Sequence, residues 1–250
     1  MRPNYTLPRL YLDQPLRGDI ELSREHAHYF GTVLRKSVGD CVRLFNTQDG
    51  EWAARVAVKG RKSMRLEITE ALREPLRVPD IRLLFAPVRK HRMNIVIEKA
   101  TELGVRTMQP VLTDRTQFPS VNIERLQAQI IEAAEQTERL DLPDIHAPIP
   151  LQDALAGRRT LVFADEAGGD CVVGAVSAAQ LPVDVLIGPE GGFTDEERQH
   201  VRARENTIPV SLGPRILRAD TAAVGLLMLV QSIIGDCRQS YLPEASPPVS

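Results

Sequence analysis

The stretch VLIGPEGGFTDEER, residues 185–198, gives the clearest indication of the fold of the C-terminal part of this chain. A short apolar run ends in a Gly-Pro-Glu-Gly-Gly turn, which is typical of a buried strand that runs into a loop. Thr194 and Glu197 have the spacing of a capping box, so a helix is predicted to start there. A strand, a glycine turn and a helix in this order predict a ligand loop at the carboxyl end of a parallel strand.

The charge that follows the glycine turn indicates which ligand the loop accepts. Asp195, Glu196 and Glu197 fall in the first turn of the predicted helix, where they complement the positive end of its dipole. A phosphate there would meet three carboxylates, and the turn matches neither the dinucleotide nor the P-loop pattern. A ligand without phosphate, or a cationic ligand, fits better. A bare strand-to-helix turn is the alternative for any single glycine loop.

A second loop of the same kind lies in SLGPRILRADTAA, residues 211–223. Arg215 and Arg218 follow its Gly-Pro turn, and such arginines either bind a phosphate or carboxylate or are ordinary surface charge. Asp220 is predicted as the N-cap of the next helix. That helix, TAAVGLLMLVQSIIG, is apolar on nearly all sides, so it is predicted to be buried in the core or in a subunit interface.

Strands and helices alternate after residue 80. A helix is predicted from Arg89 to a glycine cap at Gly104, another over Ile123–Arg139, and a third about Thr221–Gly235. The predicted strands are IRLLFAP, VRTMQPVL, TLVFADE, VDVLIG and TIPVSLG. This alternation predicts an α/β fold with a mainly parallel sheet covered by helices.

The first 70 residues have a different pattern. One helix, capped by Ser23, precedes the strand CVRLFN (41–46) and a hairpin in which apolar residues alternate from Trp52 to Ile68. Short strands joined by tight turns predict a small β-barrel. The segment REPLRVPD (73–80) is the predicted linker. The predicted domains are therefore 1–73 and 74–240, with a mobile tail at 241–250.

Composition narrows the class of protein. The chain has 250 residues, of which 43% are hydrophobic and 26% charged, as in ordinary globular proteins. It has no apolar run near the ~20 residues of a membrane span and no signal-peptide core, so a cytoplasmic location is expected. The cysteines Cys41, Cys171 and Cys237 suit neither a disulfide framework nor a zinc site, and the five histidines form no metal-binding motif. No metal is expected.

Charge is unevenly distributed along the chain. Residues 1–115 hold 21 Lys and Arg against 14 Asp and Glu, a balance of +7, whereas residues 116–250 have a balance of −9. A basic N-terminal portion indicates a polyanionic partner, with solvated surface charge as the equal alternative. The basic run RKHR (89–92) precedes a helix whose dipole it opposes, so helix stability does not explain it. A contact with a phosphodiester backbone would explain it, and a solvated basic turn is the equal alternative.

With both glycine loops identified, the chain resembles the RsmE-type 16S rRNA (uracil-N3)-methyltransferases of the SPOUT superfamily. The motifs that carry the resemblance extend over most of the chain: LPRLYLD, HYFGTVLRKSVGD, EKATELGV, AEQTERLDLPD, LIGPEGGFTDEE and SLGPRILRADTAA. The last two, in this order near the C-terminus, are the most specific. Two motifs depart from the family pattern: Glu138, Leu140 and Asp141 stand where Gly, Asn and Arg are common, and Ala219 and Asp220 replace Thr and Glu.

The resemblance implies an N-terminal PUA-like β-barrel that helps hold rRNA and a C-terminal α/β domain with a trefoil knot. It implies S-adenosylmethionine as the cofactor, a homodimer, and 3-methyluridine in the decoding region of 16S rRNA as the product, formed within the small ribosomal subunit. The residues expected to bind the cofactor are Gly188, Pro189, Glu190, Gly191, Gly192, Leu212, Gly213, Ile216 and Leu217.

Catalytic and RNA-binding residues are predicted on the same basis. Arg218 or Arg139 would stabilise the developing uracil anion, and Asp220 is a candidate general base. The residues expected to contact RNA are Arg9, Arg35, Lys36, Arg89, Lys90, Arg92 and Arg115. Two other interpretations stay open: a SPOUT methyltransferase for another rRNA or tRNA position, and an RNA-binding assembly factor that has lost catalysis.

Overall fold

The computed structural model describes residues 7–238, and these pack as two compact units. Within the described part, the N-terminal unit comprises 7–77 and 138–141, and the C-terminal unit comprises 78–137 and 142–238. The first boundary lies four residues beyond the predicted end at 73. The predicted tail at 241–250 lies outside the described residues.

The N-terminal unit contains a five-stranded sheet in the order β1-β3-β4-β5-β2. The central strands β3, β4 and β5 form consecutive antiparallel pairs, whereas β1 pairs with β3 in parallel and β2 with β5 antiparallel. The strand bounds are β1 (Arg9–Tyr11), β2 (Asp19–Glu21), β3 (Cys41–Asn46), β4 (Gly50–Lys59) and β5 (Met64–Arg73). The predicted strand and hairpin are thus confirmed, and the two three-residue strands at the ends of the order are additional.

The helix predicted after Ser23 is present but does not continue as one α-helix. The Ser23 hydroxyl accepts a hydrogen bond from the backbone N–H of His26, and α1 covers Arg24–His28. A π-helical turn, Tyr29–Val33, follows directly. Its last residues are Gly31 and the β-branched Thr32 and Val33, which have low α-helical propensity. Phe30 is fully buried there and Leu34 is partly buried against the same core, but Val33, which was predicted on the same apolar face, is exposed.

The C-terminal unit is built on a parallel sheet, as predicted. Its order is β11-β13-β10-β12-β6-β7-β8, with β9 pairing with β7, and each of these described pairs is parallel. The strands are β6 (Ile81–Phe85), β7 (Thr107–Leu112), β8 (Asp144–Ile145), β9 (Ile149–Pro150), β10 (Thr160–Ala164), β11 (Asp170–Cys171), β12 (Val183–Ile187) and β13 (Thr207–Ser211).

Helices pack against this sheet through a large apolar core. They are α2 (Lys90–Glu102), α3 (Ile123–Gln136), α4 (Leu151–Ala154), α5 (Val172–Val176), α6 (Asp195–Ala203) and α7 (Ala219–Ile234), followed by a 3-10 turn (Asp236–Arg238). In the part of the chain that the structure covers, no helix has the length and apolar character needed to cross a membrane.

Two helix ends differ from the prediction. The helix α3 stops at Gln136 rather than Arg139, because Thr137 caps it and Glu138 adopts a left-handed φ of 62°. At α7, Arg218 occupies the N-cap position and Asp220 lies in the first turn, so the predicted N-cap role of Asp220 is wrong. A carboxylate in the first turn still complements the helix dipole.

Candidate active site

A cavity of about 380 Å³ opens where the two glycine loops meet. All nine residues predicted to bind a cofactor line it, together with Arg215 and Arg218. The strands that precede the lining segments, β10, β12 and β13, are neighbours in the sheet and run parallel. Their carboxyl ends therefore share one edge of the sheet, which is where open α/β sheets bind ligands.

Glycine is required at two positions of the first loop. Gly192 has a φ of 66°, and a Cβ atom there would collide with the Glu166 carboxylate. A Cβ atom on Gly188 would lie 2.5 Å from Cε2 of Phe193, whose ring is buried. These glycines let the backbone pass close to its neighbours and leave its polar groups at the cavity.

Helix α6 begins directly after this loop with the predicted capping box. The Thr194 hydroxyl accepts a hydrogen bond from the backbone N–H of Glu197, and the Glu197 carboxylate accepts one from the N–H of Thr194 at 2.9 Å. The other Glu197 oxygen accepts a 2.8 Å hydrogen bond from the N–H of Asp114, which follows β7. The segment after β7 thus supports the start of α6.

Arg115, predicted to contact RNA, has an intramolecular partner in this structure. Its guanidinium donates a 2.8 Å hydrogen bond to the backbone carbonyl of Gly191, in the middle of the first glycine loop. The side chain is exposed, so a contact with RNA stays a prediction. The observed bond gives Arg115 a second, structural role as a support of the loop.

The negative charge of the cavity comes from two glutamate side chains. Glu166, directly after β10, and Glu190 both line it. Arg198 donates to Glu166 at 2.6 Å and to the buried Asp165 at 3.1 Å, which holds both acids in place. Glu166 was not predicted as a site residue, although it is the last residue of TLVFADE and lies just beyond the carboxyl end of β10, as the first glycine loop lies beyond β12.

The second loop supplies the opposite charge. Arg215 and Arg218 line the cavity and are exposed. A site with two carboxylates and two guanidinium groups suits a ligand that carries both charges. The charged first turn of α6, with Asp195, Glu196 and Glu197, is present as predicted.

Arg92 lies beside this cavity, among acidic side chains. Its Nε atom is 3.6 Å from Oε1 of Glu190, and one terminal nitrogen is 3.6 Å from Oδ1 of Asp220. Arg92 is one of the residues predicted from the sequence to contact RNA. The structure instead brings it to the first glycine loop and to the start of α7.

The prediction that Arg9 contacts RNA is wrong. Its side chain is only 3% exposed, and its Nε donates a 2.6 Å hydrogen bond to the fully buried Glu51. The guanidinium also lies 3.8 Å from the ring centroid of Phe45. The sequence does not indicate this burial, because Glu51, the partner of Arg9, lies 42 residues further along the chain.

Arg139, predicted to act in catalysis, is buried within the N-terminal unit. Its Nε donates to Asp141 at 2.8 Å, and its backbone carbonyl accepts a 2.7 Å hydrogen bond from Arg9. It is not among the residues that line the cavity. The departures from the family pattern are accommodated locally, since Glu138 forms ion pairs with Arg43 at 2.7 Å and Arg73 at 3.0 Å.

The remaining basic residues predicted to contact RNA are accessible. Arg35 is exposed and has a φ of 54°, and Lys36 is partly exposed. Arg89, the N-cap of α2, and Lys90 are also exposed. Their contact with RNA stays a prediction. No metal-binding group of three or more His, Cys, Asp or Glu side chains occurs among residues 7–238.

Taken by its geometry alone, the C-terminal unit is an α/β ligand-binding domain whose site lies between two glycine loops. Residues 74–231 match the RNA methyltransferase domain family, and residues 22–69 match the RNA methyltransferase PUA domain family. The second match confirms that the N-terminal domain is PUA-like.

Similar proteins extend over nearly the whole chain. The ribosomal RNA small subunit methyltransferase E of Rickettsia conorii is 36% identical over 92% of this chain and 98% of its own length. The protein of the same name from Synechocystis is 32% identical over 89% of this chain and 76% of its own. The crystal structure of ribosomal RNA small subunit methyltransferase E from Neisseria gonorrhoeae, bound to S-adenosylmethionine, superposes with a TM-score of 0.83, at 27% identity over 92% of this chain and 99% of that one. The chain belongs to the family of these RNA methyltransferases.

Proposed function

We propose that this protein transfers a methyl group from S-adenosylmethionine to N3 of a uridine in 16S rRNA. The observation that carries the proposal is the convergence of both glycine loops, including all nine expected cofactor residues, on one cavity. The S-adenosylmethionine bound to the Neisseria relative supports the choice of cofactor.

The charges of the cavity support a cofactor of this kind. S-adenosylmethionine carries a sulfonium, an ammonium and a carboxylate, and it has no phosphate. Glu166 and Glu190 suit its positive groups, and Arg215 and Arg218 suit its carboxylate. The backbone around Gly188–Gly192 and Leu212–Leu217 would hold the remainder through its exposed N–H and C=O groups.

When bound, the cofactor supplies an electrophilic methyl group, and the protein's contribution is mainly to hold the reactants in line. N3 of uracil becomes a good nucleophile only after its proton leaves, for which Asp220 is the candidate acceptor. Arg218 can stabilise the negative charge that spreads onto O2 and O4. N3 lies on the pairing edge, so the target base must be unpaired or flipped out.

Basic side chains support binding to the rRNA backbone. Arg35, Lys36, Arg89 and Lys90 expose part or all of their side chains, and phosphate contacts of this type position an RNA without reading its sequence. The match of residues 22–69 to the RNA methyltransferase PUA domain family also supports RNA binding by the N-terminal domain.

The proposal includes the finer features that the family resemblance implies. These are closure of the five-stranded sheet into a barrel, a trefoil knot around the cofactor, a homodimer, and a cytoplasmic location. The proposed target is a uridine of the decoding region, methylated within the small ribosomal subunit. Supporting observations are the two adjacent loops and the names of the relatives.

A methyl-transfer assay tests this proposal. Small ribosomal subunits and free 16S rRNA from a strain that lacks the gene are incubated with labelled S-adenosylmethionine, and the nucleosides are identified by mass spectrometry. We expect 3-methyluridine. Another methylated nucleoside would favour a methyltransferase for a different position, and binding of RNA without any methyl transfer would favour a non-catalytic assembly factor.

A further inference from the structure

The guanidinium of Arg92 lies between two carboxylates that belong to different parts of the candidate site. Glu190 comes from the first glycine loop and lines the cavity, and Asp220 comes from the first turn of α7. Both separations from Arg92 are 3.6 Å. One cation thus connects the proposed cofactor loop to the candidate general base.

Neither ion pair is closed by a hydrogen bond. Nε of Arg92 and Oδ1 of Asp220 are buried, and neither has a hydrogen-bond partner among the described residues. Buried polar atoms are rarely left unpaired, so such atoms need an explanation. Elsewhere in the same unit, Arg82 and Arg159 both bond to the buried Asp184 at 2.6 Å. The pairing of Arg92 with Glu190 and Asp220 is therefore looser than that of the buried Asp184 in the same unit.

Helix stability does not explain a cation at this position. Arg92 lies in the first turn of α2, where a positive charge opposes the helix dipole. Without it, Glu190 and Asp220 would be two partly buried carboxylates with no cation between them. Each would lose the charge that holds its orientation.

We propose that Arg92 is a positioning residue for methyl transfer, which sets the orientation of Asp220 and links it to Glu190. This inference rests on the proposed function. With cofactor beside it, Glu190 has a second cation as a partner, and Arg92 can then close its hydrogen bond to Asp220. Asp220 so held accepts the proton of uracil N3. The N3 electron pair forms the new bond to the methyl carbon, the electrons of the broken methyl–sulfur bond stay on sulfur, and Asp220 later releases its proton to water.

The test compares Arg92→Gln, Arg92→Lys, Asp220→Asn and the Arg92→Gln/Asp220→Asn double variant with the wild type. Incorporation of labelled methyl groups into small subunits gives kcat and KM, calorimetry gives the affinity for S-adenosylmethionine, and thermal unfolding checks the fold. Lys99→Gln is the matched control, because it removes a charge from the last turn of the same helix, where Lys99 pairs with Glu98 and Glu102 instead of with a residue of the candidate site.

We expect Arg92→Gln to lower kcat roughly 10- to 100-fold with KM for the subunit almost unchanged, as for a misplaced catalytic group. Arg92→Lys should restore part of kcat, because it keeps the charge without the planar donor geometry. In the Asp220→Asn background, Arg92→Gln should lower kcat little further, because both substitutions disrupt the same Arg92–Asp220 pair. If Arg92→Gln does not fold, kcat is compared between Arg92→Lys and the wild type.

Other outcomes overturn the inference. A raised KM with unchanged kcat would make Arg92 an RNA contact, and effects of Arg92→Gln and Asp220→Asn that multiply would make the two residues independent. An active wild type whose product is not 3-methyluridine contradicts the proposed function and the uracil N3 proton as the one that Asp220 accepts. The positioning role of Arg92 is still tested in that case, because the comparison of variants uses total methyl transfer. A wild type that transfers no methyl group overturns both.

Discussion

The Nε atom of Arg9 donates a 2.6 Å hydrogen bond to the carboxylate of Glu51, which is completely buried in the N-terminal unit. Arg73 donates to the other oxygen at 2.7 Å. Burial by itself would raise the pKa of Glu51, but the hydrogen bonds from Arg73 and Arg9 outweigh it and hold that pKa below its usual value. The carboxylate is therefore kept charged inside the domain, where it binds Arg9 of β1 and Arg73 of β5.

Glu51→Gln should destabilise the N-terminal unit strongly. The change removes the buried carboxylate to which Arg9 and Arg73 both donate, and breaking one side of a buried ion pair costs about 3–5 kcal/mol. Denaturant unfolding measures this loss. Glu70→Gln, on an exposed position of β5, is the control and should change stability by less than about 0.5 kcal/mol. Equal stability of the two variants would show that the buried cluster contributes nothing.

Stability should fall in acid. The pKa of Glu51 is lowered in the folded state, and so is that of Asp80, chiefly through its hydrogen bond from Arg159. A group with a depressed folded pKa contributes stability above its unfolded pKa, about 4, and loses it as pH falls through the folded value. The free energy of unfolding, followed from about pH 6 to about pH 3, should decrease, and less steeply in Glu51→Gln. A parallel pH dependence in that variant would contradict the assignment to Glu51.

Gly192→Ala should weaken cofactor binding. The new Cβ would meet the Glu166 carboxylate, and the left-handed φ of 66° costs an L-residue roughly 1–2 kcal/mol. Calorimetry with S-adenosylmethionine should show an affinity lower by about tenfold or more. Gly174→Ala, where a Cβ has open space, serves as the reference and should bind normally. Unchanged affinity of Gly192→Ala for S-adenosylmethionine would mean that the loop accommodates the alanine without a loss of binding.

Arg115→Ala should reduce cofactor affinity by about fivefold, because it removes one hydrogen bond to the Gly191 carbonyl, worth about 1 kcal/mol. Affinity for S-adenosylmethionine, measured without RNA, isolates this effect. The exposed Arg158→Ala, elsewhere in the same unit, should leave it unchanged. A loss confined to RNA binding would instead support the contact predicted from sequence.

Local signals in the sequence predicted the elements that surround the site. The capping box at Thr194, the glycine cap at Gly104 and the alternation of strands and helices each depend on residues close together in the chain. The family resemblance implied that the two loops share one cofactor site, and both loops line one cavity because parallel strands end at the same edge of a sheet. The short helices α4 and α5 were missed because four or five residues show no usable period.

Pairing over long distances could not be predicted in this way. Arg9 and Glu51 are 42 residues apart, and the sequence does not indicate that strand pairing brings them together. The same holds for Arg92, whose partners Glu190 and Asp220 lie in the first glycine loop and in the first turn of α7. An arginine's environment decides whether it binds RNA, fills a core or orients a carboxylate, and that environment is set by the tertiary fold.

Residues 138–141 pack with the N-terminal unit although the chain on either side of them belongs to the other unit. Glu138 there is an ion-pair partner of both Arg43 and Arg73. The N-terminal unit of this protein is consequently not transferable as one uninterrupted piece. A chimera that exchanges residues 1–77 between relatives would separate these arginines from their acid unless the four-residue segment were transplanted with them.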